Sequence, residues 1–314
     1  MSHVAGRRSH IIKKRLAIKR SGRRATSQRG QRVSREINVK KVTEVVRDLC
    51  IRANTELPRD VIRAFKKAID IEESQQGKEV LKQLIQNAHI ASRNSMPLCQ
   101  DTGLALVFLE IGQEVKFVGG SLEEAIVKGV SEGYTAGFLR KSMIKNPLTN
   151  PKNSEDNTPA IIHEQIVEGD RLKITVVPKG GGGENMSRLK MLKPADGVEG
   201  VKKFVVETVE LASANPCPPV IVGVGVGGSF EKVAYLAKKA LLRDIGQRNP
   251  DKKIAELERK WLKEINNLGI GPAGLGGRVT ALDLSIEEYP RHMATLPVAV
   301  NMECHAHRHK SYVI

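Results

Sequence analysis

The chain reads as a mixed α/β protein, with a helical N-terminal layer packed on a mixed β-sheet domain with surrounding helices. Three observations point there. Between residues 37 and 94, apolar side chains recur at helical spacing in three successive runs. From residue 104 onward, strand-like apolar runs and amphipathic helical runs alternate irregularly. The 314 residues, 40% hydrophobic and 27% charged, are enough for a sizeable core under a water-facing surface.

The elements follow in order. Ile37, Val39, Val42, Val45, Val46, Leu49 and Cys50 keep one helical face, and Leu57-Pro58 marks the next helix start. Val61, Ile62, Ala64, Phe65, Ala68 and Ile69 make a second amphipathic face. Val80, Leu81, Leu84, Ile85 and Ala88 make a third, which ends before Pro97. Residues 104–111 and 115–118 read as strands, with a helix near 122–137. The Asn- and Pro-rich stretch 145–159 is a loop. Runs at 161–167 and 172–177 look like a hairpin, because Glu168-Gly169-Asp170 is a turn. Helices are expected over 198–213, 230–244 and 252–267. Strands return at 279–286 and 296–302, after the Gly-rich stretch 269–277. No internal repeat is present.

The net charge of +16 suggests a polyanion partner, but its distribution argues against one. Residues 1–35 hold twelve of the 51 Lys and Arg and no Asp or Glu, leaving 39 basic against 35 acidic residues in the remainder. Residues 1–35 therefore read as a basic disordered leader. An arm for polyanions, an organelle transit peptide and translated sequence upstream of the natural start all fit it. An aromatic content of 4% leaves few stacking platforms, so nucleic acid is not the expected partner. No apolar run is long enough for a membrane span, and the start lacks the apolar core of a signal peptide.

Four cysteines, Cys50, Cys99, Cys217 and Cys304, are too few and too scattered for a disulfide framework. Cys50 lies on the apolar face of the first helix and reads as core. The other three end apolar segments beside Pro or hydrogen-bonding residues, a setting that iron–sulfur ligands share with buried thiols. Spacing alone leaves both readings open. The run Gly223-Val224-Gly225-Val226-Gly227-Gly228 matches a dinucleotide fingerprint, with Gly223, Gly225 and Gly228 as the key positions. Asp244 stands at the distance of the expected acidic residue but in a helical register, so a nucleotide-dependent oxidoreductase is a distant alternative. His305, His307 and His309 would point away from Cys304 in a strand, and an exposed basic tail is the expectation there.

Several longer motifs carry more. PLCQDTG, LRKSMIKNPL, KGGGGENMSRLKML, NPCPPVIVGVGVGGSFEKV and GIGPAGLGGRVTALDL, with RHMATLPVAVNMECHAHRH at the end, resemble class I fumarases and L-tartrate dehydratases, from about residue 36 onward. The resemblance implies an iron–sulfur hydro-lyase domain over 36–314. It implies a [4Fe–4S] cluster on Cys99, Cys217 and Cys304, with one iron left open as a Lewis acid for a dicarboxylate. It makes Gln100, Asp101, Arg140 and Gly182 substrate-binding, and pairs Asp101 with His292 as catalytic acid and base. An arginine fork suits a carboxylate better than lysine, and an imidazole titrates near neutrality. The chain further resembles the α-subunit of two-subunit members. That implies a β-subunit carrying further arginines and the catalytic base, in an α2β2-type hetero-oligomer. Reversible hydration of fumarate to (S)-malate is the expected reaction, with L-tartrate dehydration the alternative. An oxygen-sensitive cluster fits a cytoplasmic location.

Overall fold

The computed structural model describes residues 34–314. The helical layer consists of α1 (Val39–Thr55), α2 (Arg59–Ile71) and α3 (Gln75–Asn94), preceded by a short strand, β1 (Arg35–Asn38). Next come β2 (Leu104–Gly112), β3 (Val115–Val118) and α4 (Leu122–Ala136). The Asn/Pro loop contains only the two-residue strands β4 (Ile144–Lys145) and β5 (Lys152–Asn153). Then follow β6 (Ile161–Val167), β7 (Leu172–Lys179), the single turn α5 (Gly181–Asn185), β8 (Arg188–Leu192) and α6 (Gly197–Ala212). The rest is β9 (Val220–Gly227), α7 (Phe230–Ala240), α8 (Lys252–Asn266), β10 (Ala281–Tyr289), β11 (Leu296–Glu303) and β12 (Lys310–Val313).

Two four-stranded mixed sheets carry the fold, in the orders β12-β7-β2-β6 and β10-β9-β11-β8. Helices α1 and α4 cover the first, burying Val42, Val46, Cys50, Ile126 and Tyr134 against Val107 and Ile174. Helices α6 and α8 cover the second, with Phe204, Val205, Trp261 and Ile265 on Val222, Leu284 and Val298. Val61, Phe65 and Leu81 of α2 and α3 pack on Val279. That contact is locked by Glu72, whose carboxylate accepts main-chain N–H groups of Glu73, Ser74, Arg278 and Val279 at 2.7–2.8 Å. Burial pushes the Glu72 carboxyl up, but these four donors outweigh it and hold it below the usual range.

Five expectations need correction. Of the leader, residues 1–33 lie outside the described residues, but Arg35 belongs to the fold. It pairs with Val115 in a parallel β1–β3 ladder, and its main-chain N–H donates to Glu114 O at 2.9 Å. Ile37 is likewise a strand residue, because the helix starts only after Asn38, whose side chain accepts the Lys40 N–H at 2.9 Å. Strands β6 and β7 form no hairpin. β2 lies between them, parallel to β6 and antiparallel to β7, as its continuous apolar run suits a central strand. The stretch 223–228 does not follow a strand as a phosphate loop; most of it is the strand β9. A Cβ on Gly223 or Gly225 would lie 2.2 Å from Ala237 O or 2.3 Å from Val233 O, so these glycines let α7 rest directly on the sheet. The dinucleotide reading loses its turn. Finally, residues 304–309 are no exposed tail. They cross from β11 to β12, with Ala306, His307 and Arg308 buried. Among the described residues no helix is long and apolar enough to cross a membrane.

Candidate active site between the two sheets

Topology brings the cysteine segments together. β2 begins where its antiparallel neighbour β7 ends, with Leu104 opposite Lys179. β9 begins where β11 ends, with Ile221 opposite Glu303. Cys99 and Asp101 precede β2, Gly180–Gly183 follow β7, Cys217 precedes β9 and Cys304 follows β11. The glycine run is the hub of this arrangement. Added Cβ atoms would lie 3.3 Å from Asp101 Oδ2 at Gly180, 3.4 Å from Asn215 O at Gly182 and 2.5 Å from Met302 O at Gly183. One turn of chain thus approaches all three cysteine segments, and at Gly183 only backbone without a side chain fits.

Each cysteine is held locally. The Leu98 N–H donates to Asn54 O at 2.8 Å and Leu98 O accepts from Asn87 Nδ2 at 2.9 Å, which fixes the chain entering Cys99. Cys217 stands in the left-handed region at φ 57°, its N–H donating to Ala214 O at 3.0 Å. Its carbonyl accepts from the His305 N–H at 3.3 Å, tying the second cysteine segment to the third. Burial, with the neighbouring Glu303, pushes the Cys304 thiol up to about 12. Burial and then Cys99 push Cys217 up, and Cys99 also adds to the rise at Cys304, so its sulfur lies within Coulombic reach of both. Cys50, by contrast, is enclosed in α1 and raised to about 12 by burial alone.

All four cysteines are free thiols. Among the described residues, no group of three or more His, Cys, Asp or Glu is placed to hold a metal ion. A polynuclear cluster makes a different demand, since each thiolate takes its own iron and the sulfurs stand wider apart. Three free thiols on three loops that meet at the glycine run, with Cys99 in reach of the other two, fit that demand.

Asp101 is fixed on both oxygens. Oδ1 accepts the Gly103 N–H at 2.9 Å and Oδ2 accepts the Gly181 N–H at 2.8 Å. The Gln100–Gly103 turn is itself held by buried groups. The Tyr134 hydroxyl donates to Thr102 O at 2.8 Å, and Asn157 Nδ2 donates to Gly103 O at 3.2 Å. Thr102 Oγ1 donates to Arg140 O at 2.9 Å, bringing Arg140 beside the Asp101 turn. The Arg140 side chain is exposed and has no ion-pair partner among the described residues. Gln100 is exposed next to Cys99, whose thiol donates to its Oε1 at 3.2 Å.

His292 is not brought to this site. It sits in the exposed turn entering β11, with Nδ1 accepting the Ala294 N–H at 3.2 Å, whereas Cys304 follows the other end of that strand. Eight residues of strand separate the two ends, about 25 Å at the usual rise.

Other charged groups at the junction escape a reading of sequence alone. Lys179, fully buried at the end of β7, has its ammonium 3.6 Å from Glu184 and 3.7 Å from the buried Glu303. Lys238 of α7 closes the network on Glu184 at 2.6 Å. Burial pushes the Glu184 carboxyl up, but Lys238 and Lys179 outweigh it and hold it down. Arg308 donates from Nη2 to Asp101 O. A signal existed for two of them, since Glu303 and Arg308 flank Cys304, whereas Lys179 looks like an ordinary strand-end lysine.

Three free cysteines, a clamped carboxylate and an exposed arginine with no ion-pair partner among the described residues meet at this junction. Comparison with known families identifies the class. The family model described as Fumarate hydratase (Fumerase) matches residues 43–313, and the chain belongs to that family. A Methanocaldococcus jannaschii protein provisionally named L(+)-tartrate dehydratase subunit alpha is 45% identical over 273 residues, covering 85% of this chain and 95% of that protein. The L(+)-tartrate dehydratase subunit alpha of Escherichia coli strain K12 is 36% identical over 278 residues, covering 88% of this chain and 91% of that one. The protein of that name from Shigella sonnei is 36% identical over the same length.

Proposed function

We propose that this hydro-lyase is the cluster-bearing α-subunit of a dehydratase acting on a four-carbon dicarboxylate, with L(+)-tartrate as substrate. The observation that carries the reading is the convergence of the three cysteine segments, at Asp101, Asn215 and Met302, on one glycine run. Those three cysteines would hold a [4Fe–4S] cluster. When bound, a cluster with one iron free of protein ligands supplies a Lewis acid for the C–O bond that breaks.

The chain's own residues do the rest. Arg140 takes a substrate carboxylate through its fork, Gln100 offers an amide, and the backbone at Gly182 approaches without a side chain in the way. Asp101, immobilised by two N–H groups, is the proton-transfer group for the departing hydroxyl, which leaves as water. The hydrogen on the neighbouring carbon needs a base from elsewhere. A β-subunit supplies that base and further arginines. His292 can serve Asp101 only from a second α-chain, given the strand length that separates them within one, and an α2β2-type assembly would provide it. Four free thiols suit the reducing cytoplasm.

The names of the relatives favour tartrate; the family description favours fumarate, the substrate expected first from the sequence. Anaerobic reconstitution with iron and sulfide, then assays on L(+)-tartrate and fumarate with and without the candidate β-subunit, separate the two. Tartrate turnover only in the mixture is expected. Equal turnover by this chain alone would contradict the two-subunit reading, and turnover of fumarate but not tartrate would contradict the substrate.

A further inference from the structure

Arg308 is a buried cation without an anion. Its side chain belongs to a residue only 3% exposed, and it makes no ion pair among the described residues. Nη2 donates to the main-chain carbonyl of Asp101, while Nε and Nη1 are fully enclosed and have no partner. Arginines that are only half-buried are treated differently. Arg243 meets Glu258 and Glu287 at 2.5 Å, and Arg248 meets Asp283 at 2.5 Å. An uncompensated buried guanidinium is destabilising unless something neutralises it, and buried donors are seldom left unpaired.

The carboxylates near Arg308 are engaged elsewhere. Asp101 gives both oxygens to the Gly103 and Gly181 N–H groups, and Glu303 faces Lys179 at 3.7 Å. Arg308 itself follows Cys304 by four residues and reaches the carbonyl two residues after Cys99. It therefore links two of the three cysteine segments, and its positive charge has no counter-ion among the described residues.

We infer that Arg308 is the counter-cation of the cysteine site: its guanidinium anchors the Asp101 turn through the main chain and sets an unbalanced buried positive charge beside the thiolates that would hold the cluster. This rests on the cluster reading above. An iron–sulfur core held by thiolates is negatively charged, and cations and hydrogen bonds near its sulfurs favour the reduced form. Arg308 is thus a positioning residue that also tunes the cluster, with no contact to substrate required.

The test compares wild-type, Arg308→Lys and Arg308→Met chains loaded anaerobically with ferrous iron and sulfide. Cluster reduction potential is read by EPR-monitored titration, iron release to a chelator by absorbance, and folding by thermal melts of the apo chains. The methionine variant should titrate at a more negative potential and release iron several-fold faster, while lysine, which keeps the charge, stays near wild type in potential. If methionine prevents loading altogether, an apo chain that melts like wild type, with lysine still loading, supports the inference equally. Potential and iron release in the methionine variant equal to wild type would overturn it, even if its melting temperature fell, because a purely structural arginine predicts that pattern. Should the methionine chain not fold, a lysine variant whose potential shifts as negative as that of an Arg308→Gln chain would overturn it too. Failure of the wild-type chain to bind a cluster would instead overturn the cysteine assignment, which keeps the two failures distinct.

Discussion

Gly183→Ala should damage the junction far more than Gly182→Ala, although one methyl group is added in each. Both glycines lie in α5, and neither has a positive φ, so alanine is allowed by the backbone at both. In a helix the exchange alone gains up to about 1 kcal/mol. At Gly182 the new Cβ meets only Asn215 O at 3.4 Å, an ordinary contact. At Gly183 it would lie 2.5 Å from Met302 O and 3.1 Å from the Lys179 ammonium. Neither neighbour gives easily. Met302 is a buried β11 residue whose N–H donates to Ser187 Oγ at 3.0 Å, and Lys179 is caged by Glu184 and Glu303. Relief requires α5 to move off β11 by about 1 Å, which overpacking data put at about 1–3 kcal/mol. At about 2 °C per kcal/mol for a domain of this size, Gly183→Ala should melt about 2–6 °C below Gly182→Ala. Because the Gly181 N–H holds Asp101, the same movement should lower turnover of the loaded complex. Thermal melts of the two apo chains decide it: equal melting temperatures would refute the packing account of the glycine run.

Two further outcomes follow from titrating groups. Glu72→Gln should cost about 1–3 kcal/mol at neutral pH, because an amide cannot accept four main-chain N–H groups as a carboxylate does. The folded Glu72 carboxyl is held below its unfolded value, so its contribution is complete above the unfolded value and is lost as pH falls through the folded one. The stability gap between wild type and variant should therefore close toward acid in urea titrations, and a gap constant with pH would count against the clamp. In the apo chain, a thiol reagent should label the exposed Cys217 first and Cys50 last, since Cys50 is enclosed and its thiol raised to about 12. Mass spectrometry that found Cys50 modified as early as Cys217 in the folded chain would contradict this packing.

Local pattern was legible in the sequence, and pairing across the chain was not. The apolar faces of α1 to α3 and the span of β3 follow from spacing that each segment carries within itself. The β6–β7 hairpin failed because the turn at Glu168–Asp170 says only that the chain reverses, not that β2 has already taken the place between them. The glycines of β9 misled for a similar reason. Sequence shows that side chains are missing, while the reason, α7 lying on Gly223 and Gly225, is a contact with a later segment. At the site, the cysteines and Asp101 could be picked out by motif because each lies in a short distinctive stretch. Lys179 could not, since its importance comes from burial beside residues far away in the chain; Arg308 lies in the Cys304 motif, but its burial and its bond to Asp101 O are not visible there. His292 is the converse case, a motif residue that the fold of a single chain keeps at the far end of β11.

Cluster loading tests the central claim most directly. Wild-type, Cys50→Ser, Cys99→Ser, Cys217→Ser and Cys304→Ser chains, each reconstituted anaerobically and desalted, are compared for bound iron and sulfide and for the broad visible absorbance of iron–thiolate charge transfer. The wild-type and Cys50→Ser chains should hold about four irons each, and every one of the other three should lose most of the iron and the absorbance. Full retention in the Cys217→Ser chain, or loss in Cys50→Ser with an intact fold, would contradict the assignment of the cluster to the junction of the two sheets.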